Sequence, residues 1–508
     1  MRKFLSVLLI AASLGLAAPK KPKLVVAIII DQFRYDFLLR YRSEYTGGFD
    51  RLLTRGAVFT NAKYVHFPTV TGVGHSTFLS GALPSVSGIV GNDWWDYDEG
   101  KHVTCVGDIA ARMVGGNGGE GGSPRRMLVS TVGDELKTMV GHKSHVIGIS
   151  LKDRSAMLTA GHSADAAYWF DLKSGNFVTS TYYMADLPGW VKDFNAARPA
   201  EKYRGVTWLD HKLPQDVKEF FGNSTTSPFE ASPYGNEVME QFVERALGAE
   251  QLGRHEATDI VAVSYSSNDK VGHEYGTYSR EEHDVTVKTD QLIGRLFRAL
   301  DAQLGPDNVL VILTGDHGVG PSEAEDKANH MPGGRLDPKL VKNTIQAALE
   351  KRYGAGQWVA GSWDLSIYLQ RDLIRSKNLD PAEVRRVALD AAMSVPHVAR
   401  AYTREQLLSG MGVRDPDGRR MMESYNLRRG PDIEFLPEPF WVVTDKATSH
   451  GTTYVYDSHV PVVFLGPGIR PGQYNGNIAV NDIAPTLATI LGVETPSGSV
   501  GRVLTELF

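Results

Sequence analysis

The sequence predicts an α/β protein built on a mostly parallel central sheet flanked by helices, and three observations carry that expectation. Residues 23–30 (KLVVAIII), 259–264 (DIVAVS) and 308–313 (NVLVIL) are short apolar runs rich in β-branched side chains, as strands buried on both faces require. Helical periodicity precedes the later two runs, at 236–247 and 285–304, which suits the crossovers that parallel strands need. Each run also ends beside acids or histidines, where open α/β sheets hold their ligands.

Composition narrows the class. The chain has 508 residues, 42% of them hydrophobic and 22% charged, which is globular, and a net charge of -5 offers no affinity for nucleic acid or an anionic membrane. An anionic ligand must therefore be held by local charges. Residues 1–17 read as a signal peptide: Met1-Arg2-Lys3, an apolar run over 4–16, and small residues up to a cut after Ala17. Since no later segment is apolar enough to span a bilayer, the expectation is a periplasmic or secreted protein without a membrane span. The lone Cys105 excludes an internal disulfide, and its neighbours Val103 and Val106 mark it as a packing residue.

Residues 18–508 are read as one domain with insertions at about 93–126, 164–240 and 320–440. A short strand at 56–61 leads into the stretch FPTVTGVGHSTF, which ends an extended segment at Thr71 and starts a helix. Thr71 is either that helix's cap or a hydroxyl exposed beside N–H groups that suit an anion. Residues 93–126 look irregular, and their Gly-rich centre lacks the Gly-Lys-Ser/Thr ending of a phosphate loop. Ser130 is expected to cap a helix to about 140, before a strand at 145–150. The aromatic-rich 164–240 segment reads as cover for the sheet edge. The third insertion alternates helices, at 338–353 and 381–394, with a strand near 365–369. A strand at 462–465 and a helix over 482–491 close the chain.

Candidate site residues fall at the strand ends. Asp31 follows the first run directly, and either caps a helix starting at Gln32 or Phe33 or serves as a ligand. Lys152 and Arg154 follow the 145–150 strand and can face one oxyanion, with Asp153 turned away. Asp269 and His273 stand four residues apart, which puts both on one face of a helical turn. Asp316-His317, held in TGDHG after an apolar strand, would cost several kcal/mol if buried without partners, and so reads as a metal signal. His450, between small residues in SHGT, is available as a further ligand, while His459 reads as a loop-orienting residue. In a doubly wound sheet these ends share one rim, and the collected acids, imidazoles, hydroxyl and cations suit two divalent ions and a multiply charged anion.

With IIIDQFRYD, TVTGVGH, GNDWW, SLKDRSA, SNDKVGH, TGDHG and SHGT in this order, the chain resembles the alkaline phosphatase superfamily. Within it, the sequence is similar to the bacterial phosphate-irrepressible alkaline phosphatases with a threonine nucleophile, relatives of type I phosphodiesterases and nucleotide pyrophosphatases. The resemblance implies two zinc ions, one held by Asp269, His273 and His450 and the other by Asp31, Asp316, His317 and the Thr71 oxygen. It further implies that Thr71 attacks a small-molecule phosphate monoester to form a phosphothreonine, with Asn92, Lys152 and Arg154 on the non-bridging oxygens. Diesterase relatives are expected to lack the Lys-Arg pair, and the sulfatase branch needs a Cys-x-Pro-x-Arg setting that Cys105 does not offer. A phosphodiesterase or an inactive phosphoester-binding protein remain the alternatives, and the oligomeric state is open, with a monomer compatible.

Overall fold

The computed structural model describes residues 21–508, so the signal peptide expected at 1–17 lies outside the described residues. Ten strands form the principal sheet: β1 (Leu24–Ile30), β2 (Ala57–Phe59), β3 (Met113–Val114), β4 (Val146–Ser150), β5 (Ala166–Asp171), β6 (Asn176–Ser180), β7 (Asp259–Tyr265), β8 (Val309–Gly315), β9 (Val462–Leu465) and β10 (Gly472–Tyr474). Their spatial order is β10-β2-β9-β8-β1-β7-β4-β5-β6-β3. The five strands from β8 to β5 in that order run parallel, while β9 is antiparallel to both neighbours and β6 is antiparallel to β5.

Alternation along β1 divides the interior into two cores. Leu24, Val26, Ile28 and Ile30 pack with Phe33, Val261 and Leu313 on one face, whereas Val25, Ala27 and Ile29 pack with Phe78, Ile260 and Ile312 on the other. Each fully buried Val, Ile or Leu contributes about 1.5–3 kcal/mol, so the central strand is held from both sides. Register then sets the site. Ile30 pairs with Tyr265 and with Gly315, and Ser264 pairs with Ser150, which brings four chain segments out of the sheet at one level.

Helices α1 (Thr71–Ser80), α2 (Asp153–Ala160), α3 (Pro233–Ala249), α4 (Ser267–Tyr275) and α5 (Arg280–Leu304) flank this sheet. Several expectations are corrected here. No helix begins at Gln32 or Phe33, because Gln32 takes a left-handed φ of 61°, and the next helix along the chain starts at Phe37. Ser130 is not the helix cap: Thr131 is, because its hydroxyl accepts from the Asp134 N–H while the Asp134 carboxylate accepts from the Thr131 N–H. Residues 93–126 are less irregular than expected, since Asp93–Asp96 and Lys101–Thr104 form a hairpin with Trp94 buried, and β3 joins the sheet edge. Segment 164–240 begins as sheet rather than as cover. Its aromatic residues form core, Tyr168 meeting Phe242 of α3 edge-on at 5.4 Å and Phe177 stacking on it at 4.0 Å.

The third insertion has a sheet of its own, ordered Val359–Trp363, Ser366–Leu369, Ile433–Pro437, Val398–Thr403, under helices Leu340–Tyr353 and Pro381–Met393. Ile345, Trp358, Val384 and Phe435 belong to its core, in which Phe67 from outside the insertion is also buried. Several hydrogen bonds tie the insertion to the rest of the chain, among them Phe67 N to Ser424 Oγ at 2.9 Å, Arg420 Nη1 to Thr453 O at 2.6 Å and Asn426 Nδ2 to Ser85 O at 3.0 Å. Among the described residues, no helix is long and apolar enough to cross a membrane.

Candidate active site

The level strand ends bring Asp31, Asp316 and His317 together. His317 Nε2 lies 3.6 Å from Asp31 Oδ1 and 3.4 Å from Asp316 Oδ2, and all three side chains are fully buried. Those three atoms are also buried without a hydrogen-bond partner. Leaving two carboxylate oxygens and an imidazole nitrogen unsatisfied at one point costs several kcal/mol, and a divalent cation is the group that would satisfy all of them.

A second cluster adjoins the first. Asp269 and His273 sit one turn apart on α4, as their spacing predicts, with His273 Nε2 3.1 Å from Asp269 Oδ1. His450 Nε2 is 3.7 Å from the same oxygen, and the His450 ring stacks on His317 at 3.6 Å. Ligand atoms of Asp269, His317 and His450 could also meet at one ion, so His317 stands between the two clusters.

The three imidazoles share one arrangement. Nδ1 of His317 meets Gly318 O at 2.9 Å, Nδ1 of His450 meets Thr69 O at 2.8 Å, and Nδ1 of His273 meets Thr448 O at 2.9 Å. A carbonyl at Nδ1 fixes the tautomer with its proton there and leaves Nε2 as a lone pair for a metal. Burial, then His273, lowers the His450 pKa to about 3, and burial, then His450, holds His317 well below the usual imidazole range, so both are neutral as ligation requires. The donor set fits zinc-like ions.

Lys152 enters differently from the expectation. It ends the extended segment after β4 and Asp153 starts α2, so the 152–154 triplet spans a helix start rather than a strand or turn. Its Nζ lies 2.6 Å from both Asp31 Oδ2 and Asp269 Oδ2, because two buried carboxylates attract the nearest ammonium. Burial opposes the Lys152 charge, but Asp269 and Asp31 outweigh it and raise its pKa. Burial also acts against the Asp269 carboxylate, yet Lys152 and then His273 hold its pKa far below the ordinary range. Arg154 lies on the same side, its Nε buried and without a partner, and Lys152, Arg154 and Asn92 line a cleft of about 500 Å³ walled by Trp169 and Glu230.

Thr71 is the first residue of α1 and Val70 its cap, so the capping alternative for Thr71 falls away. Glycine is needed three residues on: a Cβ on Gly74 would stand 2.1 Å from Asp316 O, and only its absence lets the helix start press against the strand end. Cys105 packs beneath this turn, fully buried, and His459 contacts Thr60 O at 2.9 Å as a loop-orienting residue would.

Two residues that the sequence reading passed over complete the arrangement. His75 Nδ1 donates to Thr71 O at 2.9 Å and lies 3.3 Å from Asp316 Oδ2; its signal was the four-residue spacing from Thr71. Gln32 hydrogen-bonds to both Asp316 and Asp269, and nothing in its residue type announced that.

A mostly parallel α/β sheet whose carboxyl rim gathers paired acid–imidazole clusters beside the start of a helix defines the class of fold and site. The chain belongs to the type I phosphodiesterase / nucleotide pyrophosphatase family, which it matches over residues 25–460. It is 33% identical to alkaline phosphatase PafA of Elizabethkingia meningoseptica, covering 99% of this chain and 98% of that one. Alkaline phosphatase PhoV of Synechococcus elongatus is 35% identical over 96% of this chain and 93% of its own length. A Myroides odoratus protein named a calcium-transporting ATPase is 34% identical, with 96% and 95% covered. The crystal structure of wild-type PafA superposes with a TM-score of 0.89 at 32% identity, over 97% of this chain and 100% of that one.

Proposed function

We propose that this protein is a metal-dependent phosphate monoesterase of the alkaline phosphatase type, exported to the periplasm or beyond, acting through a phosphothreonine at Thr71. The observation that carries the reading is the convergence of three orphaned buried atoms, Asp31 Oδ1, Asp316 Oδ2 and His317 Nε2, beside a helix that begins at Thr71. The relatives named as alkaline phosphatases support the reaction class. The export reading rests on residues 1–17 of the sequence.

Asp31, Asp316, His317 and the Thr71 oxygen would hold one zinc ion, and Asp269, His273 and His450 the other. When bound, the ions supply Lewis acidity that favours the threonine alkoxide and the departing oxygen. Thr71 Oγ forms a bond to phosphorus as the ester O–P bond breaks on the opposite side, and the alcohol leaves. Water then attacks the phosphothreonine, releasing inorganic phosphate and restoring the hydroxyl. Asn92 donates from its amide, and Lys152 and Arg154 supply charge to the non-bridging oxygens, where the transferring group needs most stabilisation.

Those two cations favour a dianionic monoester, because a diester carries one charge and places an organic group where the second free oxygen would be. Purified protein is expected to hydrolyse an aryl phosphate monoester much faster than the matching diester, to lose that activity to EDTA, and to lose nearly all of it in Thr71→Ala. A faster diester rate would transfer the protein to the phosphodiesterases. Unchanged turnover in Thr71→Ala would remove the covalent intermediate.

A further inference from the structure

We propose that Gln32 is a positioning residue that ties the two ligand clusters together, its main-chain N–H fixing Asp316 and its side-chain amide fixing Asp269. The inference rests on the metal-dependent reading above. Gln32 N donates to Asp316 Oδ1 at 2.9 Å, and Gln32 Nε2 donates to Asp269 Oδ1 at 2.9 Å. The residue is almost fully buried, and it follows the candidate ligand Asp31 directly. One residue at the end of β1 thus reaches carboxylates that follow its two neighbouring strands, β7 and β8.

The backbone indicates that the side chain matters. Gln32 holds a φ of 61°, a left-handed conformation in which glycine is far less strained than glutamine. A non-glycine residue persists in such a conformation when its surroundings over-determine it, and such sites concentrate where geometry is functional. Here the over-determination is visible in the two hydrogen bonds.

Helix α4 makes room for the amide. A Cβ on Gly272 would stand 1.9 Å from Gln32 Oε1. Glycine weakens a helix interior, so its presence between Asp269 and His273 on their own helix matches the need to seat this side chain. The chemical effect follows from the donors. With Asp316 Oδ1 engaged by the Gln32 N–H, the oxygen left without a partner is Oδ2, which faces His317 Nε2 at 3.4 Å. On Asp269 the amide instead engages Oδ1, the oxygen that also faces His273 and His450 and keeps a second lone pair for an ion, while Lys152 holds Oδ2. Outer partners of this kind orient metal ligands and typically alter metal affinity by about 10–100-fold.

The substitution Gln32→Gly separates the two contacts, because it keeps the N–H and removes the amide. Zinc binding, measured on metal-free full-length protein by competition with a chelating indicator, is expected to lose about 10–100-fold in the step belonging to Asp269, His273 and His450, with the other step unchanged. In a His450→Ala background the same substitution is expected to have no further effect. Gly272→Ala, which displaces the amide from the opposite side, should reproduce the selective loss, and it carries the test if Gln32→Gly fails to fold, which the melting of the metal-free protein reports. Equal weakening of both steps, or unchanged binding in Gln32→Gly, overturns the proposal. Wild-type protein that binds zinc in two steps but hydrolyses no monoester would overturn the proposed function and leave this comparison intact.

Discussion

The side-chain oxygen of Asn92 accepts a 2.7 Å hydrogen bond from the main-chain N–H of Gly72, the residue after Thr71. That bond fixes which end of the amide is which: with Oδ1 engaged, only the NH2 remains to meet an anion in the cleft. Asn92→Ala is therefore expected to lower kcat/KM for an aryl phosphate by ~10²-fold, as loss of one transition-state donor does elsewhere, and Asn92→Asp to lower it further by adding negative charge. Steady-state kinetics on both variants checks this, and equal rates in wild type and Asn92→Ala would remove Asn92 from the reaction.

Arg154 has a buried Nε with no partner, whereas the Lys152 ammonium is shared between two carboxylates. Arg154 is consequently the freer of the two cations to answer a second phosphate charge. Arg154→Ala should depress the monoester rate by about tenfold or more while affecting the diester much less, so that the ratio of the two narrows. Parallel kinetics on the two substrates gives the ratio directly. A proportional fall in both rates would assign Arg154 to general binding.

Metal removal should register in stability as well as in turnover. At free zinc near 1,000 times the dissociation constant, each occupied site stabilises the folded chain by about 4 kcal/mol. Dialysis against chelator is expected to lower the melting temperature, and zinc to restore both melting temperature and activity. Identical melting curves with and without chelator would contradict the two-cluster reading.

A stability effect away from the site tests the electrostatics independently. Glu240 is fully buried on α3, hydrogen-bonded to Tyr265, and burial pushes its pKa up to about 8. A carboxyl whose folded pKa lies above its unfolded value stabilises the fold fully below pH ~4.5 and loses that contribution as pH rises towards about 8. Glu240→Gln cannot ionise, so denaturant unfolding at pH 5 and pH 9 should show the variant gaining on wild type at the higher pH by on the order of a few kcal/mol. An unchanged difference between the two pH values would refute it.

How much of this was legible in the sequence follows from what sequence records. Strand ends bearing Asp31, Asp269 and Asp316 were readable because continuous apolar runs announce parallel strands, and parallel strands keep ligands at one rim. The Thr131 cap is legible too, since Asp134 stands three residues on, although the neighbouring Ser130 is an equally common capping residue. Strands β5 and β6 were hidden because their aromatic residues suggest surface cover as much as core. The direction of the Lys152 ammonium depends on two carboxylates more than 100 residues away, and the role of Gln32 on a dihedral angle, so neither had a local signature.

Strand β1 presents alternate residues to two separate cores and delivers Asp31 and Gln32 at its end. A substitution along it must satisfy packing partners above and below at once, while its terminal pair must keep reaching both neighbouring strands. The third insertion is tied to that rim as well, because Phe67 packs in its core and its Tyr368 packs with Val70 and Val73 at the start of α1. A change in the packing of that insertion therefore reaches the turn that carries Thr71, although the two are far apart in sequence.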